Sequence, residues 1–286
     1  METVRQILDR ANREHWAVPH FNISNLEMIK AIAEAAVERR SPALIGTSEG
    51  ERDFVGLAEG VALVRAVRER YQIPLYINAD HSYSVEKAKE AIDAGYDSVH
   101  IDLSKKPFEE NIAGTREVVE YARTKNSEIS IEGEIGYFVT DSSKVYDKEI
   151  EVPEESLAKP EEAERFVRET GVHRLAPVVG GIHGVAKNEG KLDIARIAAI
   201  KAKLSDTVLV LHGGSGDPAE DLKAAVAAGI ANVHISTDLR VAYHAALQIE
   251  AAKDEIAPYR IFAPVIAAVK RVCIANMDLF GSSGKI

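Results

Sequence analysis

The sequence predicts an α/β protein, a (β/α)8 TIM barrel forming a single domain over residues 1–286 with extra helices at its C-terminal end. Three observations carry this. Short β-rich runs alternate with amphipathic segments, the pattern of crossover units on a parallel sheet. Eight such units fit within about 240 residues, close to the ~250 this fold takes. Each run carries polar residues at or just beyond its end, and the C-terminal ends of barrel strands are where this fold keeps its working groups.

In chain order the runs are "AVPHFN" (17–22), "PALIGTS" (42–48), "PLYINAD" (74–80), "SVHIDLS" (98–104), "ISIEGEIG" (129–136), "RLAPVVGGI" (174–182), "TVLVLHGG" (207–214) and "NVHISTD" (232–238). Between them lie helical patterns such as "NLEMIKAIAEAAVERR", "VEKAKEAIDAG", "NIAGTREVVEYARTK", "PEEAERFVRETG", "DIARIAAIKAKL" and "PAEDLKAAVAAG", several closed by the glycine that ends helices. The tail beyond residue 240 reads as the eighth helix plus one or two more, with apolar faces suited to a subunit contact and hence to a homo-oligomer, a dimer or tetramer. Residues 137–158, "YFVTDSSKVYDKEIEVPEESLA", are long for a connection inside a compact domain and read as a functional loop or lid.

Composition excludes several classes. A net charge of −10 with scattered Lys and Arg argues against nucleic acid or an anionic membrane surface as partner, so an anionic ligand must be held by local features. The lone Cys273 cannot form an internal disulfide, and the N-terminus lacks a signal-peptide core, which points to a cytoplasmic setting. No run reaches the ~20 apolar residues that span a bilayer.

The strand ends carry the chemistry. They offer Asn22, then Ser48 and Glu49, Asp80 and His81, Asp102, Glu132 and Glu134, His183, His212 with "GGSG", and Ser236, Thr237 and Asp238. His81, His183 and His212 come from three different strands, and in a barrel they converge on one mouth near Glu134 and Asp102. Imidazoles with carboxylates are the donors a divalent transition metal prefers, and three protein ligands with open positions make a metal catalytic. In "LHGGSGDPAEDLKAA" the turn Gly213, Gly214, Ser215 opens a helix, whose free N–H groups suit a phosphate. Lys187, in "HGVAK", adds a positive charge nearby. A phosphorylated small molecule is the expected substrate. His15, His20, His100, His173 and His244 have no partners at comparable positions and read as structural, His20 alone standing close to a strand end.

The ordered motifs "AVPHFNISNLEMIKAI", "ADHSYSVEKAKEAIDAGYDSVHIDLSKKPFEENI", "EGEIG", "PEEAERFVRETGV", "GGIHGVAK", "LVLHGGSG", "ISTDLRVAYHAAL" and "DLFGSSGK" resemble the class II, metal-dependent ketose-bisphosphate aldolases over nearly the whole chain. The resemblance implies zinc, with another divalent metal or an accompanying monovalent cation as alternatives, bound by His81, His183 and His212. It makes Glu134 a ligand in some members and Asp102 an acid near the metal. It makes Asp80 the group that exchanges a proton with the C4 oxygen, assigns Gly184, Lys187, Gly213, Ser215 and Thr237 to the phosphate of dihydroxyacetone phosphate, and sets Asn22 near the substrate. The implied reaction is reversible cleavage of a ketose 1,6-bisphosphate, foremost fructose 1,6-bisphosphate. Tagatose 1,6-bisphosphate, another phosphorylated ketose or keto acid, and a non-catalytic sugar-phosphate binder are the alternatives. The chain departs from the family pattern in three places. Asp80-His81-Ser82-Tyr83 stands where Asp-His-Gly is usual, His234 replaces an Asn, and the 137–158 loop offers Asp141, Asp147, Glu149 or Glu151 in place of an aligned glutamate.

Overall fold

A computed structural model describes residues 1–140, 144–186 and 191–286; Asp141 and Lys187 lie outside the described residues. The eight runs become β1 (Val18–Asn22), β2 (Ala43–Thr47), β3 (Leu75–Ser82), β4 (Ser98–Ile101), β5 (Ser130–Ile135), β6 (Arg174–Pro177), β7 (Val208–Leu211) and β8 (Ile230–Ile235). Each pairs in parallel with the next, and β8 closes on β1, with His20 opposite His234. The helices are α1 (Val4–Glu14), α2 (Leu26–Arg39), α3 (Glu49–Val55), α4 (Leu57–Tyr71), α5 (Val85–Ala94), α6 (Phe108–Lys125), α7 (Pro160–Thr170), α8 (Ile194–Lys203), α9 (Ala219–Ala227), α10 (Thr237–Ala251) and α11 (Pro258–Leu279).

Local chemistry sets the boundaries. Side chains of Asn25, Ser84 and Asp193 accept the orphan N–H groups that open α2, α5 and α8. Pro160 starts α7, where a missing N–H costs nothing, and Gly171 ends it at φ 69°. Strands β4, β6 and β7 are shorter than their sequence runs, whose last residues lie in the loops that follow. β3 is longer: Asp80 and His81 lie within the strand, whereas the run read from sequence stops at Asp80.

The outer ring of helices buries one contiguous apolar layer against the barrel. A second cluster closes the N-terminal end, where Ile7, Leu8 and Trp16 of the α1 segment meet Val18, Leu44, Tyr76 and Val208 from the strands. The tail departs from a simple eighth helix. α11 packs on α2 and touches β1, so it takes the last ring position. α10 stands outside it, fully burying only Thr237 and Leu239 and leaving Val241 and Ile249 exposed on the segment where the sequence places a subunit contact. Among the described residues no helix is long and apolar enough to cross a membrane.

β5 shows how the alternation of a strand divides labour. Glu132 and Glu134 face inward, while Gly133 between them faces the helices, where an added Cβ would stand 2.6 Å from the Phe166 ring of α7. Gly133→Ala is therefore expected to destabilise by about 1–3 kcal/mol, the usual range for overpacking. Thermal unfolding checks this, and Phe166→Leu in the same chain should recover part of the loss; equal melting of Gly133→Ala and the parent would refute the packing argument.

Candidate metal centre and phosphate cradle

The site begins with a break in the β3 ladder. Its pairing with β4 shifts register between Ala79 and Ser82, and His81 has φ 46°, in the left-handed region a non-glycine residue seldom occupies. Side chains alternate along a regular strand, so neighbours point apart. The bulge suspends that rule, and both Asp80 and His81 line the same cleft. Such a conformation costs about 1–3 kcal/mol and persists only where surroundings enforce it. Arg52 of α3 is the enforcer: its buried guanidinium donates to the carbonyls of Thr47 (2.6 Å) and Asp80 (3.1 Å) and to Ser82 Oγ (3.3 Å).

Two imidazoles have one nitrogen fixed by a carboxylate, which selects the other for a metal. His81 Nδ1 lies 2.9 Å from Asp102 Oδ2, leaving Nε2 free. His212 Nε2 lies 2.7 Å from Glu132 Oε1, leaving Nδ1 free. Glu132 is itself paired with Arg174 at 2.7 Å, both fully buried inside the barrel. Arg174 continues downward through Ser130 (3.1 Å) to His173 (2.7 Å) and Asp9 of α1 (2.8 Å). A polar thread thus joins the N-terminal face to a candidate metal ligand. Against the cost of burial, the Arg174 charge holds Glu132 well below the usual carboxylate range.

His183 reaches the same cleft from the loop after β6. Its ring stacks on Phe138 at 3.8 Å, and its N–H donates to Thr140 Oγ1 at 2.9 Å. Its ring centroid is 5.2 Å from that of His81 and 6.0 Å from that of His212. Burial pushes the metal-free His81 down, but the charges of Asp80 and Asp102 outweigh it and raise this imidazole to about 10. Burial and the nearby His81 charge lower His183 to about 3. Glu134 is raised by burial and by Asp102. A cation entering here therefore displaces a proton from His81.

Asp80 is anchored on its other side. Asn22 Nδ2 donates to Asp80 Oδ2 (2.9 Å) and to Glu51 Oε2 (3.0 Å), and Glu51 also accepts from the Ser48 N–H (2.8 Å) and pairs with Arg240. Burial opposes ionisation of Asp80, yet the His81 charge and contacts with His100 and His234 hold it well below its usual value.

Opposite these groups, loops from β6, β7 and β8 meet. Gly213 has φ 72°, and an added Cβ would stand 2.2 Å from the Ile182 carbonyl, so only glycine fits. Ser215 Oγ accepts the N–H groups of Ser236 (3.1 Å) and Asp238 (3.3 Å), tying the β7 loop to the start of α10. Gly184, Gly213, Ser215 and Thr237 line one cleft with Asn22, Asp80, His81, His183 and His212. Asp102 and Glu134 line an adjoining cleft that also touches His81 and His183. The Gly214 N–H of the β7 turn donates to the His234 carbonyl at 3.2 Å.

The structure therefore brings Asn22, Asp80, His81, His183, Gly184, His212, Gly213, Ser215 and Thr237 to one cleft and Asp102 and Glu134 to the adjoining one; Lys187 and Asp141 lie outside the described residues. Of the 137–158 segment, Phe138 and Thr140 line the cleft, while Asp147, Glu149 and Glu151 are exposed. Three histidines read as structural or set aside belong to the interior. His100 sits among His81, His212 and Asp80, and His20 stacks on His234 at 3.5 Å. Strand alternation is the signal that could have found His100, since positions 100 and 102 share a face. Glu51, Arg52, Arg174 and Arg240 act through contacts remote in sequence. Two larger cavities, ≈ 710 and ≈ 770 Å³, lie at the opposite, N-terminal face and contain none of these groups. Donor chemistry, not volume, locates the site.

The fold and the site define a metal-dependent barrel enzyme. The description "Fructose-bisphosphate aldolase class-II" matches residues 2–285, and the chain belongs to that family, whose members are metal-dependent lyases. Among its relatives, the fructose-bisphosphate aldolase of Geobacillus stearothermophilus is 39% identical, with 99% of this chain and 98% of that protein covered. The probable fructose-bisphosphate aldolase of Bacillus subtilis is 36% identical over the same shares. Among solved structures, the YdjI aldolase of Escherichia coli K12 superposes with a TM-score of 0.86 at 29% identity, covering 99% of this chain and 98% of that one.

Arg174→Met removes the cation from the buried pair and leaves Glu132 unpaired, which is expected to cost about 3–5 kcal/mol of stability. Because Glu132 orients His212, metal affinity should also fall roughly 10- to 100-fold. Thermal unfolding of the metal-free protein and chelator-competition titration separate the two effects; unchanged metal affinity would remove Arg174 from the account of the site.

Proposed function

We propose that this enzyme reversibly cleaves fructose 1,6-bisphosphate to dihydroxyacetone phosphate and glyceraldehyde 3-phosphate, using zinc held by His81 Nε2, His212 Nδ1 and His183, with Asp80 as the proton-transferring acid. The observation that carries it is the joint lining of one cleft by Asp80, the histidines and the Gly213–Ser215 turn. The donor set fits a divalent transition metal, and the neighbours of buried Asp80 Oδ1 and Glu134 Oε2 are imidazole nitrogens, His234 Nδ1 at 3.3 Å and His100 Nε2 at 3.5 Å. A bound zinc ion supplies Lewis-acid stabilisation of the enediolate charge left when the C3–C4 bond breaks.

The chain's own residues do the rest. Asp80, held ionised and aimed by Asn22, takes the proton of the C4 hydroxyl as the bond opens and returns it in the condensation direction. Gly213 and Ser215 of the β7 turn and Thr237 at the start of α10, with Gly184 and Lys187, hold the phosphate of the ketone half. Asp102 and Glu132 fix the ring orientations of His81 and His212 before substrate arrives. Tyr83, about half-exposed with its ring 5.9 Å from His81, stands at the rim of the cleft.

A second reading, cleavage of tagatose 1,6-bisphosphate or another phosphorylated ketose, is favoured by Tyr83 and by His234, which replace smaller or amide side chains of the family pattern in the substrate cleft.

Purified enzyme is expected to release dihydroxyacetone phosphate from fructose 1,6-bisphosphate, to lose that activity with EDTA, and to regain it with zinc. Asp80→Ala should keep its zinc while turnover falls ~10²- to 10⁴-fold, the usual contribution of an acid–base group. A panel of ketose phosphates decides between the two readings. Activity that survives exhaustive chelation would refute the metal role, and an unchanged rate in Asp80→Ala would refute the acid.

A further inference from the structure

One of the three candidate imidazoles is held differently from the other two. A metal-bound imidazole ordinarily has its second nitrogen fixed by a carboxylate, a carbonyl or water. His81 and His212 have Asp102 and Glu132 in that place, whereas among the described residues the ring nitrogens of His183 make no hydrogen bond. The segment that follows β5 holds it instead. The Phe138 ring lies 3.8 Å from the His183 ring and within 14° of parallel, and Thr140 Oγ1 accepts the His183 N–H at 2.9 Å. The same segment touches this loop again two residues along. Val185 N–H donates to the Lys144 carbonyl at 2.9 Å, Tyr146 N–H donates to the Val185 carbonyl at 2.7 Å, and Val145 forms a parallel bridge with Val185.

This strap leaves β5 by a fixed turn. Gly136 has φ 77°, an added Cβ there would stand 2.5 Å from the Ser156 carbonyl oxygen, and the Tyr137 N–H donates to that same oxygen at 3.0 Å. On its far side the His183 loop meets the β7 turn, where a Cβ added to Gly216 would stand 3.1 Å from Val185 Cγ2. The loop is thus gripped between strap and phosphate cradle. The aromatic stack also has a chemical direction. A cation bound to an imidazole draws electron density out of its ring, and the negative face of a phenyl ring attracts an electron-poor partner. Phe138 therefore favours the metal-bound form of His183, which an aliphatic side chain filling the same space would not do.

We propose that Phe138 is the positioning residue of His183: its ring does for the third imidazole what Asp102 and Glu132 do for the other two, and Thr140 with residues 144–146 holds the pair against the cradle. This rests on the reading of His183 as a metal ligand. Part of the segment that the sequence marks as a loop or lid thereby serves the metal as well as the substrate.

The test compares the parent with Phe138→Leu, Phe138→Tyr and His183→Ala by chelator-competition affinity for zinc and by the visible spectrum of the cobalt(II)-loaded protein, which reports coordination geometry. Phe138→Leu keeps apolar bulk and loses the ring; it is expected to bind zinc about 3- to 10-fold more weakly, the scale of an aromatic pair, with its cobalt spectrum moved toward that of His183→Ala. Phe138→Tyr, which keeps the stack, should restore both. Parental affinity and spectrum in Phe138→Leu, or equal losses in Phe138→Leu and Phe138→Tyr, would overturn the proposal. If Phe138→Leu fails to fold, Thr140→Val, which removes the acceptor of the His183 N–H at constant shape, carries the comparison with an expected loss of about 2- to 10-fold. A His183→Ala variant that binds zinc as the parent does would remove His183 from the ligand set and so refute the reading beneath this one. Weakened zinc in His183→Ala beside parental zinc in Phe138→Leu would refute the role of Phe138 alone.

Discussion

The site depends on one buried ion pair. Arg174 and Glu132 meet at 2.7 Å inside the barrel, both fully buried. Such a pair earns little net stability, because desolvation offsets most of the attraction. Its value lies in what Glu132 does with its remaining oxygen, which fixes the Nε2 of His212 and turns Nδ1 toward the cleft. Asn78 and Asn232 complete the guanidinium's hydrogen bonds at 2.9 and 3.0 Å, so the arginine is locked by three strands. The metal end of the barrel is positioned from below.

The second constraint is the break in β3. A regular strand cannot present two adjacent side chains to one cleft, and this chemistry asks for a carboxylate and an imidazole side by side. The protein accepts a left-handed His81 and clamps it with Arg52 from α3, a helix inserted in the loop after β2. The strain and the clamp belong together: without Arg52 the Asp80 and Ser82 groups that define the bulge lose their shared donor. The same α3 carries Glu51, so one short helix holds the bulge, Asn22 and, through Arg240, the start of α10.

Much of this was legible in the sequence. Eight runs with polar ends specified the barrel, and His81, His183, His212, Asp80, Glu134 and Asp102 could be placed at one mouth because strand order and direction follow from the alternation. Glycine 213 and Ser215 were readable because a turn opening a helix has only a few uses. What escaped depends on contacts between distant positions. Arg174 reads as the polar start of a strand, and only the closed barrel shows it reaching Ser130, Asn78 and Asn232. His100 looked like a strand-interior residue without a partner, because its partners come from β3 and β7. The tail was read correctly as extra helix, but which helix fills the ring is decided by packing of α11 on α2, which no local pattern encodes.

The central claim is that carboxylates beneath the cleft choose which imidazole nitrogens face the cation. A crystal structure of the zinc-loaded protein, with the ion located by anomalous diffraction at the zinc edge, tests it most directly. The account predicts zinc bonded to His81 Nε2 and His212 Nδ1, with Asp102 and Glu132 still on the opposite nitrogens. Zinc bonded to His81 Nδ1 or His212 Nε2, or found away from these two residues, would contradict it.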